Sequence, residues 1–207
     1  MIRIYIGVRN DDSKPYIVPK YVLSDSSRYF EKAPSKDFIE GRTGILHFPE
    51  DHEPAWQILL YFIFRHKVVE SVEDSIGFSW WESPSDLAHT YVLADKYELP
   101  ACQNAIVRAF AKLTGDDCLR LKDYKELLAF LPARSALQRI ILEDMVAVQW
   151  SDTYEWEEYE SLSQYEGVLP GLIRAAERRL RDPEKFPPHG YGARVEDYLV
   201  SEQACGD

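Results

Sequence analysis

The five histidines, at 47, 52, 66, 89 and 189, and the three cysteines, at 102, 118 and 205, are where metal or nucleophilic chemistry would have to start. His52 sits in Asp51-His52-Glu53, which gathers ligand-type side chains but lacks the i, i+4 spacing to a second histidine that a helical metal site uses. The triplet reads as a polar turn and helix start, where acids complement the dipole. His89 lies beside the apolar Ala88 and Val92, the setting of a half-buried structural histidine rather than a base. Cys102 falls between apolar helical positions and reads as a small core residue. The cysteines are odd in number and widely spaced, so they make neither a disulfide framework nor a zinc knuckle. Gly-x-Ser-x-Gly, Walker-type and HExxH patterns are absent, and His189-Gly190-Tyr191-Gly192 has no strand before it to make a phosphate cradle. No catalytic constellation, metal site or cofactor is expected.

Two charged segments could bind partners instead. Arg174, Arg178, Arg179 and Arg181 form a basic cluster, expected as the solvated face of a helix whose apolar side is Leu169, Leu172, Ile173, Ala176 and Leu180. Nucleic acid is the alternative ligand for that cluster. It is opposed by a net charge of −11, since phosphate backbones reward lysine and arginine. The run Trp150 to Glu160 mixes aromatics with acids and fits either a sticky ligand for a partner or a half-buried helix. The excess acid is uneven: residues 1–114 carry 13 basic and 16 acidic side chains, residues 115–207 carry 11 and 19.

The elements that would position these residues follow from periodicity. Ile2, Ile4 and Ile6 alternate with Arg3 and Tyr5 as a half-buried strand, and Tyr16-Ile17-Val18 returns after a polar turn, giving a hairpin over 2–18. Pro19 stops the strand and opens two short helical pieces separated by Ser24-Asp25-Ser26-Ser27, whose side chains suit helix caps. Ile45 to Phe48, between Gly44 and Pro49, reads as a third strand. From Glu53 the period is helical, and Trp56 to Phe64 is apolar nearly all round, as in a helix central to a core. Residues 68–84, with Trp80-Trp81, read as an inserted loop. Two helices follow, one with Leu87, Tyr91, Ala94 and Tyr97 on a face, the other from Pro100 to Gly115. Beyond Gly115 only helical stripes appear: Leu121 to Leu131, Leu137 to Val148, and Leu169 to Leu180. The tail 182–207 is expected to wrap loosely. The longest apolar run, Ile58 to Phe64, is too short to span a bilayer, so no membrane partner is expected. The opening residues lack a signal peptide's pattern, and an intracellular setting, cytoplasmic or nuclear, fits the cysteine usage.

Tyr16 to Phe30, with its Leu23, Ser26 and Phe30, resembles the strand-to-helix block of the BTB/POZ family. Phe38-Ile39-Glu40-Gly41 looks like the family's Phe-x-Glu segment, and Ile45 to Asp51 like its third strand. The most specific likeness is Leu87 to Pro100, with Ala94-Asp95-Lys96-Tyr97 at its centre, followed by Cys102-Gln103-Asn104-Ala105-Ile106, as in fungal-type members. The resemblance covers residues 2–114 and departs from the family at Pro19, where histidine is usual, and at the insertion 68–84. It implies an α+β fold, a BTB/POZ domain over 1–114 with a small three-stranded sheet, followed by an all-helical extension over 115–207. It also implies non-enzymatic protein–protein interaction, often as an adaptor for a cullin-type ubiquitin ligase, with Phe38 and Glu40 in the place of the cullin-contacting residues. Because the sequence starts at the first core strand, without the segment many members exchange across a dimer, a monomer or a non-swapped dimer is expected. A BTB-containing chromatin regulator touching nucleic acid through the Arg174–Arg181 helix is the alternative.

Overall fold

Alternation along Ile2–Ile6 buries Ile2 and Ile4 and exposes Arg3, and this strand, β1, becomes the middle of the sheet. The structure, a computed structural model, describes residues 1–8, 13–32, 42–66, 84–116, 121–149, 160–183 and 195–202. The chain divides into two compact units: Met1–Trp80, His89–Ala105 and Ser201–Asp207 form the first, and Trp81–Ala88 with Ile106–Val200 the second. The architecture is α+β, with eight α-helices and one three-stranded mixed sheet among the described residues.

In the first unit, β2 (Tyr16–Val18) pairs antiparallel with β1 in the register Ile2 to Val18 and Ile4 to Tyr16. The third strand, β3 (Ile45–Phe48), lies on the other side of β1 and runs parallel to it, so the order is β2-β1-β3. Leu46 and Phe48 join Ile2, Ile4 and Val18 on the buried face. Pro19 is the N-cap of α1 (Lys20–Ser26), which buries Leu23. Ser27 separates it from α2 (Arg28–Lys32), and its Oγ accepts the Phe30 N–H at 3.2 Å, the capping role expected of that serine run.

Helix α3 (Glu53–Arg65) buries Ala55, Trp56, Ile58, Leu59, Leu60, Phe62 and Ile63, as a helix apolar on most sides must. It ends at His66, whose left-handed backbone donates its N–H to the Phe62 carbonyl at 2.7 Å. Helix α4 (Pro84–Lys96) and helix α5 (Pro100–Asp116) are separated by a tight turn in which Glu98 takes a left-handed conformation and Leu99 N–H bonds to the Ala94 carbonyl.

In the second unit, α6 (Leu121–Leu128) buries Tyr124, Leu127 and Leu128, and α7 (Ala136–Gln149) buries Leu137, Ile140, Ile141, Leu142, Met145 and Val146. These two stripes match the sequence periodicity. Helix α8 (Val168–Arg181) does not follow its stripe. Leu169, Ile173 and Leu180 were expected on the packing face, yet they are exposed, and Val168 and Ala175 are buried instead. The cause is steric: α8 meets α7 at Gly171, where an added Cβ would lie 2.3 Å from Leu142 Cδ1. A small-residue face lets the helices approach closely, so Leu169, Ile173 and Leu180 are left outward while Leu172 and Ala176 of the stripe stay half-buried. Within the tail, Val195–Tyr198 forms a 3-10 turn whose Tyr198 is buried and donates its hydroxyl to Glu143. All regular structure described in this unit is helical. Among the described residues no helix is long and apolar enough to cross a membrane.

Candidate functional site

Phe38 and Glu40, the residues the resemblance assigns to cullin contact, lie outside the described residues, as do the insertion except its last residue, Pro84, and Trp150 to Tyr159. Other segments share the apolar-x-Glu spacing. Among them, Glu31 and Glu50 are exposed, whereas Glu143 is buried and committed to the protein's own arginine.

In the first unit, the described aromatic and polar side chains around Asp51 are spent on packing. Phe48 stacks on Trp56 with ring centres 4.8 Å apart, and Phe30, Tyr29 and Tyr97 extend the cluster. Under it the Asp51 carboxylate, 5% exposed, accepts from Trp56 Nε1 at 2.8 Å, from Lys96 Nζ at 2.7 Å and from the Tyr97 hydroxyl. Burial, then the Asp51 carboxylate, pushes the Tyr97 phenol far above its ordinary range, so it stays a neutral donor. Asp95 in turn accepts from Gln103 Nε2 at 3.2 Å. Lys96 and Tyr97 therefore fasten the end of α4 to the turn before α3, and Asp95 ties it to α5.

His52 occupies the N-cap position of α3, where its side chain makes no capping hydrogen bond, and stacks on half-buried His89, ring centres 4.5 Å apart. Among the described residues no group of three His, Cys, Asp or Glu side chains could hold a metal ion. Cys102 is fully buried, and desolvation raises its thiol well above the ordinary value, which leaves it protonated and unreactive.

In the second unit the arginine cluster is divided. Arg178 pairs with the buried Glu143 at 2.5 Å, Arg181 with Glu177 at 3.1 Å, and Arg179 donates to the Val146 carbonyl at 3.4 Å. Such commitments are the opposite of a continuous basic face free to track a phosphate backbone. Arg174 and Arg178 also line a cavity of about 370 Å3, together with Arg134 and Arg139 from the far side. The sequence reading missed Arg134 and Arg139, which stand more than thirty residues before the cluster.

One side chain builds this cavity's walls. Gln138 is buried, and its Oε1 accepts the Arg134 backbone N–H at 2.6 Å while its Nε2 donates to the Glu166 carbonyl at 3.0 Å. It thus ties the turn before α7 to the turn before α8. Gly167, the N-cap of α8 at φ +74°, could not carry a side chain there without strain, since a Cβ would also sit 3.2 Å from Ala133 Cβ.

Comparison with known proteins finds no family model that matches the chain and no curated protein that resembles it.

Proposed function

We propose that the chain is a non-enzymatic protein–protein interaction module of the BTB/POZ type, with a helical extension, that serves as an adaptor for a cullin-type ubiquitin ligase. The observation that supports this most is the element order. A hairpin, two short helices, a third strand, an apolar central helix and a helical pair follow one another in the order of that family. The stretch Leu87 to Pro100 adds weight, because Leu87, Tyr91, Ala94 and Tyr97 are all buried, as their helical spacing predicts.

The test is a pull-down of cullin by the full chain, with Phe38→Ala and Glu40→Ala as variants. Loss of capture in both supports the adaptor role. Capture unchanged in both removes that role and leaves the broader interaction reading. The nucleic-acid alternative is the weaker reading, because Arg178, Arg179 and Arg181 of that helix are engaged within the protein.

A further inference from the structure

We propose that the cavity between α7 and α8 binds a phosphomonoester dianion carried on a small organic body. Four arginines line it: Arg134 from the turn before α7, Arg139 from α7, and Arg174 and Arg178 from α8. Arg178 is matched by Glu143, and Glu177 on the rim is engaged by Arg181. Among the described residues, Arg134, Arg139 and Arg174 form no ion pair. With Glu177 counted against these three guanidiniums, about two positive charges stay uncompensated among the described residues of one concavity, in a chain whose net charge is −11.

That balance matches a phosphomonoester, which carries about −1.5 to −2 at pH 7. Guanidinium forks suit its oxygens, and arginine rather than lysine is the residue for bidentate phosphate contact. Leu142 and Pro170 give the cavity an apolar wall for the carrier. A cavity of about 370 Å3 lies at the low end of the roughly 300–1,000 Å3 of small-ligand sites, the scale of a phosphorylated side chain or metabolite rather than a polymer. The site is also built rather than incidental. Arg134 sits at φ +65°, a conformation costly for a residue with a Cβ, and the buried Gln138 amide holds it there. The inference does not rest on the BTB reading.

Titration calorimetry of the full chain tests it with O-phosphoserine, a phosphoserine-containing peptide, the unphosphorylated peptide and a short DNA duplex. Saturable binding of a phosphomonoester, absent for the unphosphorylated peptide and weak for the diester backbone, is the expected result. O-phosphoserine binding as tightly as the peptide identifies a free phosphorylated compound as the source, and preference for the peptide identifies a modified partner. Arg134→Gly keeps the left-handed turn and removes the guanidinium, so it should fold normally and bind at least about tenfold more weakly. Arg174→Ala should do the same, and Arg108→Ala, whose partner is the exposed Glu196, should bind as the parent does. Binding unchanged in Arg134→Gly and Arg174→Ala, equal binding of duplex, or no binding of either monoester at millimolar concentration would overturn the proposal.

Discussion

Removing the Asp51 carboxylate should unfasten the first unit, and the size of the effect follows from its three donors. Trp56 and Tyr97 are completely buried, so in Asp51→Ala the indole N–H and the phenol O–H lose their acceptor with no water to replace it. Each such orphaned donor costs about 1–3 kcal/mol. Lys96 is about half exposed, so solvent takes over its charge and it adds less than about 1 kcal/mol. Relief of the desolvated carboxylate offsets part of this sum. The expected loss is about 3 kcal/mol, a large fraction of the 5–15 kcal/mol that holds a typical domain. Asp51→Asn keeps one acceptor oxygen and should lose about half as much. Equilibrium urea unfolding, followed by tryptophan fluorescence and near-ultraviolet dichroism, measures both, with Lys96→Met as the control at under about 1 kcal/mol. A loss below 1 kcal/mol in Asp51→Ala, or an equal loss in Lys96→Met, would refute the assignment of the energy to the two buried donors.

Two more outcomes follow from the same packing. Tyr97 is held neutral by burial and by Asp51, so its folded pKa lies above its unfolded value of about 10. Its contribution is fully present below pH 10 and lost as pH rises further, because only the unfolded chain then releases the proton; Tyr97→Phe should flatten that alkaline decline in urea titrations. Gly171→Ala gains helix propensity of about 1 kcal/mol but drives a Cβ onto Leu142 Cδ1, and overpacking costs about 1–3 kcal/mol. The net should be a destabilisation of up to about 2 kcal/mol by chemical denaturation, and a clear stabilisation would show that Leu142 moves aside freely.

The local signals in the sequence were strong where period and punctuation agree. Ile2 and Ile4 against Arg3 specify a strand, Pro19 its end, Ser27 a cap, and the apolar run from Trp56 a central helix, and each stands as expected. What periodicity does not carry is which small residue becomes a contact. In α8 the apolar stripe has the larger amplitude, yet Gly171 and Ala175 set the approach to α7, because backbone proximity rewards the absence of bulk. Asp51 looked like a helix-start acid, and nothing adjacent in sequence tells that its partners wait at 96 and 97. The arginine cavity was half legible: Arg174 and Arg178 were visible as a cluster, whereas Arg134 and Arg139 join them only through the fold. The one sequence signal for that meeting is the pair Gly167 and Gly171 just ahead of the cluster, marking close backbone approach.

The position of β1 has a consequence for synthesis. It is the first of the three strands to leave the ribosome, and it can satisfy one edge at once by closing a local hairpin with β2. Its other edge must wait until Ile45 to Phe48 has been made, some forty residues later, and a parallel pairing of that span closes a costly loop. During that interval the nascent chain carries an apolar hairpin with one open ladder, the state most open to wrong strand pairing. A translational pause that holds β1 and β2 outside the ribosome while β3 is still inside it should therefore lower the yield of folded protein more than the same pause placed after all three strands have emerged.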